Sequence, residues 1–368
     1  MSLRRFAVVL GAALLAAGTP GVRADPLYTV DFLPTGFTAD ALNNSGQVVG
    51  TSGDAAAILS GGILTSLAAI APVSYGRAIN SAGDIAGTLD NPYGGRAFSY
   101  IGGTLTDINP LLSQNYFYSN ASAINDSGAV GGLAYPFVGE AVRGFIYQGG
   151  SIQYLGTLGG DFSGVAALNK LGAATGVASF EGPALVQPYH AIYYANGVLQ
   201  DLGALGGERS SGEDLNDAGD VVGWAELEGE DYATHPFLYR DGKLLDLGTL
   251  GGRNGEAHAI NNLGAIVGNA YLAGDAILHA FLYLDGQMVD LNSLVDPLGG
   301  WTLTAAYDIN DAGQILGTAC QGDHCASVLL SPVPEPAAAT LMAGGLALLA
   351  GIGLRRRRGA ARASLRTV

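Results

Sequence analysis

The chain has 368 residues, of which 57 are glycine and 2 are cysteine, and its 32 acidic residues outnumber the 17 lysines and arginines. The formal net charge of −15 disfavours binding to nucleic acid or anionic lipid, because both rely on clustered basic side chains. The glycines fall at fixed positions between apolar runs, so the composition does not indicate a disordered low-complexity chain.

Residues 1–24 have the pattern of a secretory signal peptide. Two arginines precede an apolar stretch over residues 6–17, and Val22-Arg23-Ala24 forms a small-residue cleavage site. A membrane anchor is the alternative, but the apolar stretch is short for one. The sequence therefore predicts export of a mature chain that begins at Asp25.

One pattern returns seven times: an apolar residue, Asn, two variable residues, Gly, and an apolar run that ends in Gly. The repeated asparagines are Asn43, Asn80, Asn125, Asn169, Asn216, Asn261 and Asn310. Asn opening a type I turn accepts a hydrogen bond from the backbone two residues on, and the Gly takes a positive φ. Each repeat predicts a tight β-hairpin of strands a and b, in which Asn and Gly are turn residues and nothing more.

A third strand, c, follows a variable loop in most repeats. The c strands of five repeats open at Arg96, Arg143, His190, His235 and His279. A two-residue turn such as Asp241-Gly242 then leads into a fourth strand, d. Four strands in about 45 residues are typical of a β-propeller blade. The recurrence of His or Arg in one position indicates a structural hydrogen bond repeated by blade, and not a metal site.

The two ends of the chain indicate how the ring closes. Residues 27–33 resemble a d strand before the first hairpin, and residues 325–330 resemble a c strand with no d strand after it. If the N-terminal strand completes the last blade, no sheet edge stays free. We therefore predict an all-β domain over residues 25–332, a seven-bladed β-propeller of four-stranded blades closed by the N-terminal strand.

The repeats resemble the HAF-repeat family of bacterial extracellular proteins. They combine Ala-Ile-Asn-x-x-Gly-x-Ile-x-Gly with the triplet His279-Ala280-Phe281, which other blades match only in part. The resemblance covers most of residues 25–332. It implies an extracellular location and no particular activity.

The tail resembles a PEP-CTERM sorting signal of Gram-negative bacteria. Val333-Pro334-Glu335-Pro336 precedes a mostly apolar segment, residues 337–354, whose helix would span about 27 Å. A cluster of arginines follows, namely Arg355, Arg356, Arg357 and Arg358. These arginines and a short tail, residues 359–368, would stay cytoplasmic. The resemblance implies an exosortase-type membrane protease as partner, transient insertion in the inner membrane through this transmembrane helix, and delivery to the cell surface or medium. A permanent anchor is the alternative.

The residue three positions before each repeated Asn varies, whereas its neighbours are uniform. These residues are Asp40, Arg77, Ser122, Ala166, Glu213, His258 and Tyr307. We expect them to line the loop-rich mouth of the central channel. If their side chains turn toward the axis they could bind a ligand or support acid–base chemistry, with Asp40, Glu213, His258 and Tyr307 as the candidate catalytic residues. A hydrated channel lined by unrelated polar groups is the alternative.

Aromatic residues are frequent in or beside the long b–c and d–a loops, which share one face of the ring. They are Tyr93, Tyr116, Phe117, Tyr118, Tyr135, Trp224, Tyr232, Tyr271 and Trp301. Exposed rings around a groove suit sugar faces or a protein partner, whereas packing of the loops onto the blades is the alternative. The candidate ligand-binding residues are Arg77, Ser122, Tyr116, Tyr118, Trp224 and Trp301.

An acidic loop could hold calcium, although no regular ligand spacing is present and a solvated loop is the alternative. Its residues are Glu226, Glu228, Glu230 and Asp231. No other cofactor is expected. Cys320 and Cys325 predict a disulfide in an exported protein, with a zinc site that includes His324 as the alternative.

These patterns favour a secreted, non-catalytic binding or matrix protein associated with exopolysaccharide, a surface glycan or a protein in a biofilm. No nucleophile elbow, zinc-protease helix motif or Walker loop is present. The alternative is an extracellular carbohydrate-active hydrolase or lyase with its site at the channel mouth, since propeller enzymes assemble sites from separate blades. A structural spacer is a third interpretation. A carboxylate pair or a His–Tyr pair in the channel would favour the enzyme.

Overall fold

A computed structural model of the chain describes residues 27–90, 94–137, 141–182, 188–229 and 232–333. These residues form 28 β-strands and two short 3-10 helices, Asn109–Leu111 and Leu291–Ser293. Antiparallel pairing groups the strands into seven sets of four, which we number as blades 1 to 7. A single parallel pair, Tyr189 with Arg209, joins blades 4 and 5 into one sheet.

The strands follow the chain from β1 (Tyr28–Phe32) through the first three blades. Blade 1 contains β2 (Phe37–Leu42), β3 (Val48–Ser52), β4 (Ala55–Ser60) and β5 (Ile63–Ser66). Blade 2 contains β6 (Ser74–Ile79), β7 (Ile85–Leu89), β8 (Arg96–Ile101) and β9 (Thr104–Asp107). Blade 3 contains β10 (Tyr116–Ile124), β11 (Val130–Pro136), β12 (Arg143–Gln148) and β13 (Ser151–Tyr154).

The remaining blades repeat the same order. Blade 4 contains β14 (Gly159–Leu168), β15 (Ala174–Phe180), β16 (Tyr189–Ala195) and β17 (Val198–Asp201). Blade 5 contains β18 (Gly206–Leu215), β19 (Val221–Leu227), β20 (Thr234–Arg240) and β21 (Lys243–Asp246). Blade 6 contains β22 (Gly251–Ile260), β23 (Ile266–Leu272), β24 (Leu278–Leu284) and β25 (Gln287–Asp290). Blade 7 contains β26 (Thr302–Ile309), β27 (Ile315–Gln321) and β28 (His324–Pro332).

The N-terminal strand supplies the fourth strand of the last blade. β1 pairs antiparallel with β28 from Tyr28 opposite Pro332 to Phe32 opposite Val328. Blade 7 also contacts blade 1, because the Asp308 carboxylate accepts a 2.7 Å hydrogen bond from the Leu42 amide. The predicted all-β propeller of seven four-stranded blades, with the N-terminal strand in the last blade, is confirmed.

The repeated asparagines form a circle of hydrogen bonds that runs through all seven blades, which we call the asparagine ring. Asn125 shows the pattern: its Oδ1 accepts from the amides of Ser127 and Ala129, and its Nδ2 donates to the Asn169 carbonyl oxygen at 2.9 Å. The same donation passes from blade to blade and returns from Asn310 to Asn43 at 3.1 Å. The asparagines are therefore interblade links as well as turn residues, which corrects the interpretation from the sequence.

Each a strand carries a β-bulge at its variable position. The residue left out of the regular pairing is Asp40, Arg77, Ser122, Ala166, Glu213, His258 or Tyr307. An extra residue in one strand bends it and re-aims a side chain. The bulge also explains the second repeated glycine: a Cβ at Gly132, or at its counterpart in each other blade, would collide with a carbonyl oxygen of strand a.

The c strands carry the blade core and one recurrent polar pair. Phe98, Phe145, Phe237 and Phe281 are fully buried. In three consecutive blades the histidine that opens strand c lies 2.7–2.9 Å from an aspartate of strand d, as His235 does from Asp246. In blade 2 Arg96 contacts Asp107 at 2.9 Å. In these four blades the residue thus holds strands c and d together at one end.

Cys320 and Cys325 form a disulfide between facing residues of β27 and β28. The predicted disulfide is confirmed, and its two sulfurs are therefore not thiolates that could share a zinc site with His324. Val333, the first residue of the predicted sorting motif, donates its amide to the Leu27 carbonyl oxygen at 2.9 Å.

Several predicted segments lie outside the described residues. These are the signal peptide, the remaining sorting-motif residues Pro334, Glu335 and Pro336, the apolar segment 337–354 and the arginines of 355–358. In the part of the chain that the structure describes, no helix has the length and apolarity needed to span a membrane.

Candidate functional site

The seven bulge residues line one cavity on the channel axis, which we call the axial cavity. It has a volume of about 280 Å³ and contains every residue of the variable set, from Asp40 in blade 1 to Tyr307 in blade 7. We call this set the bulge ring. The structure thus brings together the residues that periodicity had grouped, because the bulge turns each of them toward the axis.

The bulge ring lies between the hairpin turns and the opposite ends of the a strands. Each member is three residues before the repeated asparagine, about 10 Å along the strand. In blades 4 to 6 the a strand continues seven residues in the opposite direction, for example from Ala166 back to Gly159. The axial cavity adjoins a cavity of about 330 Å³ that the asparagine ring lines. The bulge ring therefore lies inside the channel, next to the asparagine ring.

Asp40 and Arg77 of neighbouring blades neutralise each other. Arg77 Nη1 lies 2.6 Å from Asp40 Oδ1, and its guanidinium lies 5.8 Å from the centre of the Tyr75 ring. Burial raises the pKa of Asp40, and the charge and hydrogen bond of Arg77 oppose that rise. Periodicity alone could not reveal this pair, because the two residues are 37 positions apart in the sequence.

His258 is a neutral hydrogen-bond acceptor in the bulge ring. Its Nε2 lies 2.7 Å from Asn269 Nδ2, which donates, and its ring centre lies 5.8 Å from that of Tyr307. Burial lowers the pKa of His258 to about 4. The Nε2 lone pair is therefore occupied, and the ring stays uncharged near neutral pH.

Partly buried carboxyl groups lie in or near one side of the channel. Burial raises the pKa of Glu256, and the charge of Glu213 raises it further. Asp214 and Asp308 line both channel cavities, and burial raises their pKa values to about 8 and about 6 respectively. Asp214, with a pKa of about 8, can hold a proton near neutral pH, which acid–base chemistry requires.

A larger cavity of about 520 Å³ adjoins the axial cavity, with which it shares Arg77 and Ser122. Tyr75, Tyr118 and Tyr135 form part of its wall, so we call it the tyrosine cavity. Tyr75 and Tyr118 are 37% and 38% exposed, which leaves aromatic surface accessible on blades 2 and 3.

Polar groups also line the tyrosine cavity. The buried Oδ1 of Asn120 has no hydrogen-bond partner within the described part of the chain. Ser122 donates its hydroxyl to the Val165 carbonyl oxygen at 2.5 Å, so its oxygen can still accept. Tyr75 and Asn120 were not among the predicted site residues, because both lie within strands and carry no loop signal.

The other predicted ligand-binding aromatics lie elsewhere. Tyr116 stacks on Tyr154 with ring centres 5.0 Å apart and packs against the core of blade 3. Trp224 meets Tyr189 edge to face, and Trp301 meets Phe32 in the same manner. These contacts favour the packing interpretation for Tyr116 and Trp224, whereas Trp301 and Phe32 line a separate cavity of about 510 Å³. None of the three lines the cavity of Tyr118.

The described part of the acidic loop does not bring its carboxylates together as metal ligands. Glu226 is buried and its Oε2 accepts a 3.2 Å hydrogen bond from the Glu208 amide. Glu230 and Asp231 lie outside the described residues. Within the described ranges, no three His, Cys, Asp or Glu side chains are grouped as metal ligands.

Comparison with known proteins adds evidence on the fold. No family model matches the chain, and no curated protein matches it. One similar solved structure is the β-propeller domain of the Trilobed protease from Pyrococcus furiosus, described as having an open velcro topology. It is 9% identical, with a TM-score of 0.53 over 80% of this chain and 93% of that chain.

Two peptidases are also similar. The acylaminoacyl peptidase of Pyrococcus horikoshii is 10% identical, with a TM-score of 0.48 over 78% of this chain and 51% of its own. A puromycin-hydrolysing peptidase of Mycobacterium tuberculosis is 14% identical, with a TM-score of 0.48 over 85% and 53%. This chain spans about half the length of both peptidases. At 9% identity, the likeness to the Pyrococcus furiosus domain shows the β-propeller fold alone.

Proposed function

We propose that the protein is an exported, non-catalytic propeller that binds an extracellular polysaccharide in the tyrosine cavity. The observation that carries this proposal is the cavity itself, which combines the rings of Tyr75, Tyr118 and Tyr135 with polar groups at one edge. Its volume of about 520 Å³ lies within the range of sites that bury a small ligand or part of a larger one.

The chemistry of the walls suits a sugar. Aromatic faces pack against the C–H faces of a pyranose ring, and hydroxyl groups of the sugar need partners at its edge. The Ser122 oxygen, whose hydroxyl donates to the Val165 carbonyl oxygen, can accept a hydrogen bond from such a hydroxyl group. The Arg77 side chain, which is half exposed, can donate from the same wall.

The sequence signals supply the cellular context of the proposal. The predicted signal peptide and a tail that resembles PEP-CTERM favour export, processing by an exosortase-type protease and association with the polysaccharide matrix of a biofilm. Intact mass of the protein from medium and envelope fractions tests this part. A chain from Asp25 to near Pro336 supports it, whereas a chain that retains Arg355 indicates a membrane-tethered propeller.

Binding is tested on a glycan array and then by titration calorimetry. Tyr118→Ala removes one wall of the cavity and should weaken binding about tenfold or more. Tyr232→Ala is the matched control, since Tyr232 is 78% exposed and does not line the tyrosine cavity. Equal affinities of both variants, or no glycan bound by the wild type, would rule out this site.

A second candidate function is an extracellular glycan hydrolase or lyase that uses the axial cavity. Glu213 and Tyr307 both line that cavity, and the Tyr307 ring contacts the ring of His258. The carboxyl groups of Asp214 and Asp308 line the same cavity. Two of the four candidate catalytic residues are engaged, because Asp40 pairs with Arg77 and His258 accepts from Asn269. Release of reducing ends or unsaturated products that Glu213→Gln abolishes would favour this enzyme; wild-type protein without such release supports the binding function.

A further inference from the structure

Seven backbone amides face the channel axis, one in each blade, directly before the asparagine ring. In each hairpin the Asn amide bonds to the carbonyl oxygen four residues on, as Asn125 does to Ala129 at 3.0 Å. Hydrogen-bonded pairs alternate along antiparallel strands, so the amide of the preceding residue points away from strand b. The residues with these amides are Leu42, Ile79, Ile124, Leu168, Leu215, Ile260 and Ile309.

Two aspartates cap four of these amides. Asp214 accepts from the adjacent Leu215 amide at 2.8 Å and from the Ile260 amide of the next blade at 2.9 Å. Asp308 makes the equivalent bonds to Ile309 and to Leu42 of blade 1, both at 2.7 Å. Each aspartate side chain therefore bridges two neighbouring blades, and the four bonds show that these four amides face the axis.

The other three amides belong to the consecutive blades 2, 3 and 4. They are those of Ile79, Ile124 and Leu168, and all three residues line the axial cavity. Alanine stands at every position from which an aspartate would reach them, namely Ala41, Ala78, Ala123 and Ala167. The small side chains leave space beside donors that have the same geometry as the capped ones.

We propose that the axial cavity binds the carboxylate of a small organic acid on the amides of Ile79, Ile124 and Leu168. The two carboxylate oxygens take the place that the aspartate oxygens have in the other blades. This proposal rests on backbone geometry and not on the tyrosine cavity. The charged groups that face the axial cavity are Arg77, Asp40, Glu213, Asp214 and Asp308. Burial raises the pKa values of Asp214 and Asp308 to about 8 and about 6, so binding of a carboxylate should weaken as these two groups lose their protons at higher pH.

The test uses the purified protein with acetate as probe and sodium chloride at equal ionic strength as reference. Acetate should raise the midpoint of thermal unfolding of the wild type, and uncharged acetamide should not. Ala123→Asp places a carboxylate between the Ile124 and Leu168 amides. It should raise the midpoint by roughly 2–4 °C and remove the response to acetate.

Ala259→Asp is the matched control, because the amides in its reach, Ile260 and Ile309, already bond to Asp214 and Asp308. It should not raise the midpoint and should keep the response to acetate. Equal stabilisation by both substitutions, or an acetate response that persists in Ala123→Asp, overturns the proposal.

The amide chemical shifts of the wild-type protein test carboxylate binding without any substitution. In a titration of the wild type with acetate, the amide signals of Ile79, Ile124 and Leu168 should shift together and saturate. The amide of Leu215, which Asp214 already caps, is the internal reference and should shift less. Absence of saturable shifts at the three amides overturns the proposal even if Ala123→Asp fails to fold.

Discussion

The asparagine ring and the bulge ring lie three residues apart on the same seven strands. The asparagine ring has one residue type, buried in every blade, and each member makes the same turn and interblade bonds. The bulge ring has seven different residues, one of them Ala166 and another Tyr307, and all face the axial cavity. Within each ring the seven residues hold equivalent positions around the axis, but only in the asparagine ring do they also have the same side-chain chemistry.

The difference follows from what each position must do. An asparagine side chain has an acceptor for the turn and a donor for the next blade, and no other residue of that length has both. A bulge residue projects into a cavity and makes no bond that all blades need. The first ring stabilises the fold, and the second is free to vary with a ligand.

The largest effect is expected where the bulge meets strand b. Gly132→Ala would place a Cβ against the Asn120 carbonyl oxygen and force the two strands apart. We expect a loss of about 3 kcal/mol in the free energy of unfolding, measured by chemical denaturation. Gly156→Ala is the control, since a Cβ there meets no atom within 4 Å. Similar losses in both variants would remove the bulge from the explanation.

The interblade role of the asparagine ring is tested by Asn125→Asp. Aspartate keeps the acceptor of the turn but replaces the donor with an oxygen that faces the Asn169 carbonyl. We expect a loss of about 2 kcal/mol in the free energy of unfolding. Asn196→Asp is the matched control, because Asp241 and Asp285 hold the equivalent turn in the next two blades. An Asn125→Asp variant as stable as the control would return this residue to a turn role alone.

Asp214 and Asp308 lie between the bulge ring and the asparagine ring and line both channel cavities. They should make the free energy of unfolding depend on pH. Burial raises their pKa values from 3.8 to about 8 and about 6, so the folded state binds protons more tightly than the unfolded chain. Their contribution to stability is full below about pH 4 and is lost as pH rises through these values. The midpoint of thermal unfolding should fall from pH 5 to pH 9. The fall should be smaller in Asp214→Asn and unchanged in the exposed control Asp241→Asn; equal slopes in all three proteins would contradict this account.

The smallest effect is expected for a substitution within the bulge ring. Ala166→Ser adds a hydroxyl group that faces the axial cavity. The free energy of unfolding should change by no more than about 0.5 kcal/mol. A loss comparable to that of Asn125→Asp would show that the bulge ring is structural too.

The fold was predictable to the level of single strands because turn chemistry repeats. The asparagine spacing indicated seven blades, and the unmatched ends at Tyr28 and Val328 indicated which strand completes the last one. The hydrogen bonds from each asparagine to the next blade were not predictable, because the turn by itself is enough to explain an asparagine at this position. The need for glycine at Gly132 also depends on a bulge that a sequence does not display.

The site was predictable in part. Variation at one position in a uniform repeat identified the bulge ring, and its grouping in the axial cavity depends only on the sevenfold repeat. The tyrosine cavity depends on which loops and strands meet, so Tyr75 was missed and Trp301 was grouped with Tyr118 although they lie apart. The HAF and PEP-CTERM resemblances stay predictions.

The central claim is that the asparagine ring stabilises the fold while the tyrosine cavity binds the ligand. The most direct test measures two quantities on Asn125→Asp and Tyr118→Ala: the midpoint of thermal unfolding, and the Kd for an oligosaccharide selected on the array. Asn125→Asp should unfold at lower temperature and keep its affinity where it is folded, whereas Tyr118→Ala should keep its midpoint and lose about tenfold in affinity. If folded Asn125→Asp loses affinity while Tyr118→Ala binds normally, the assignment of roles is wrong.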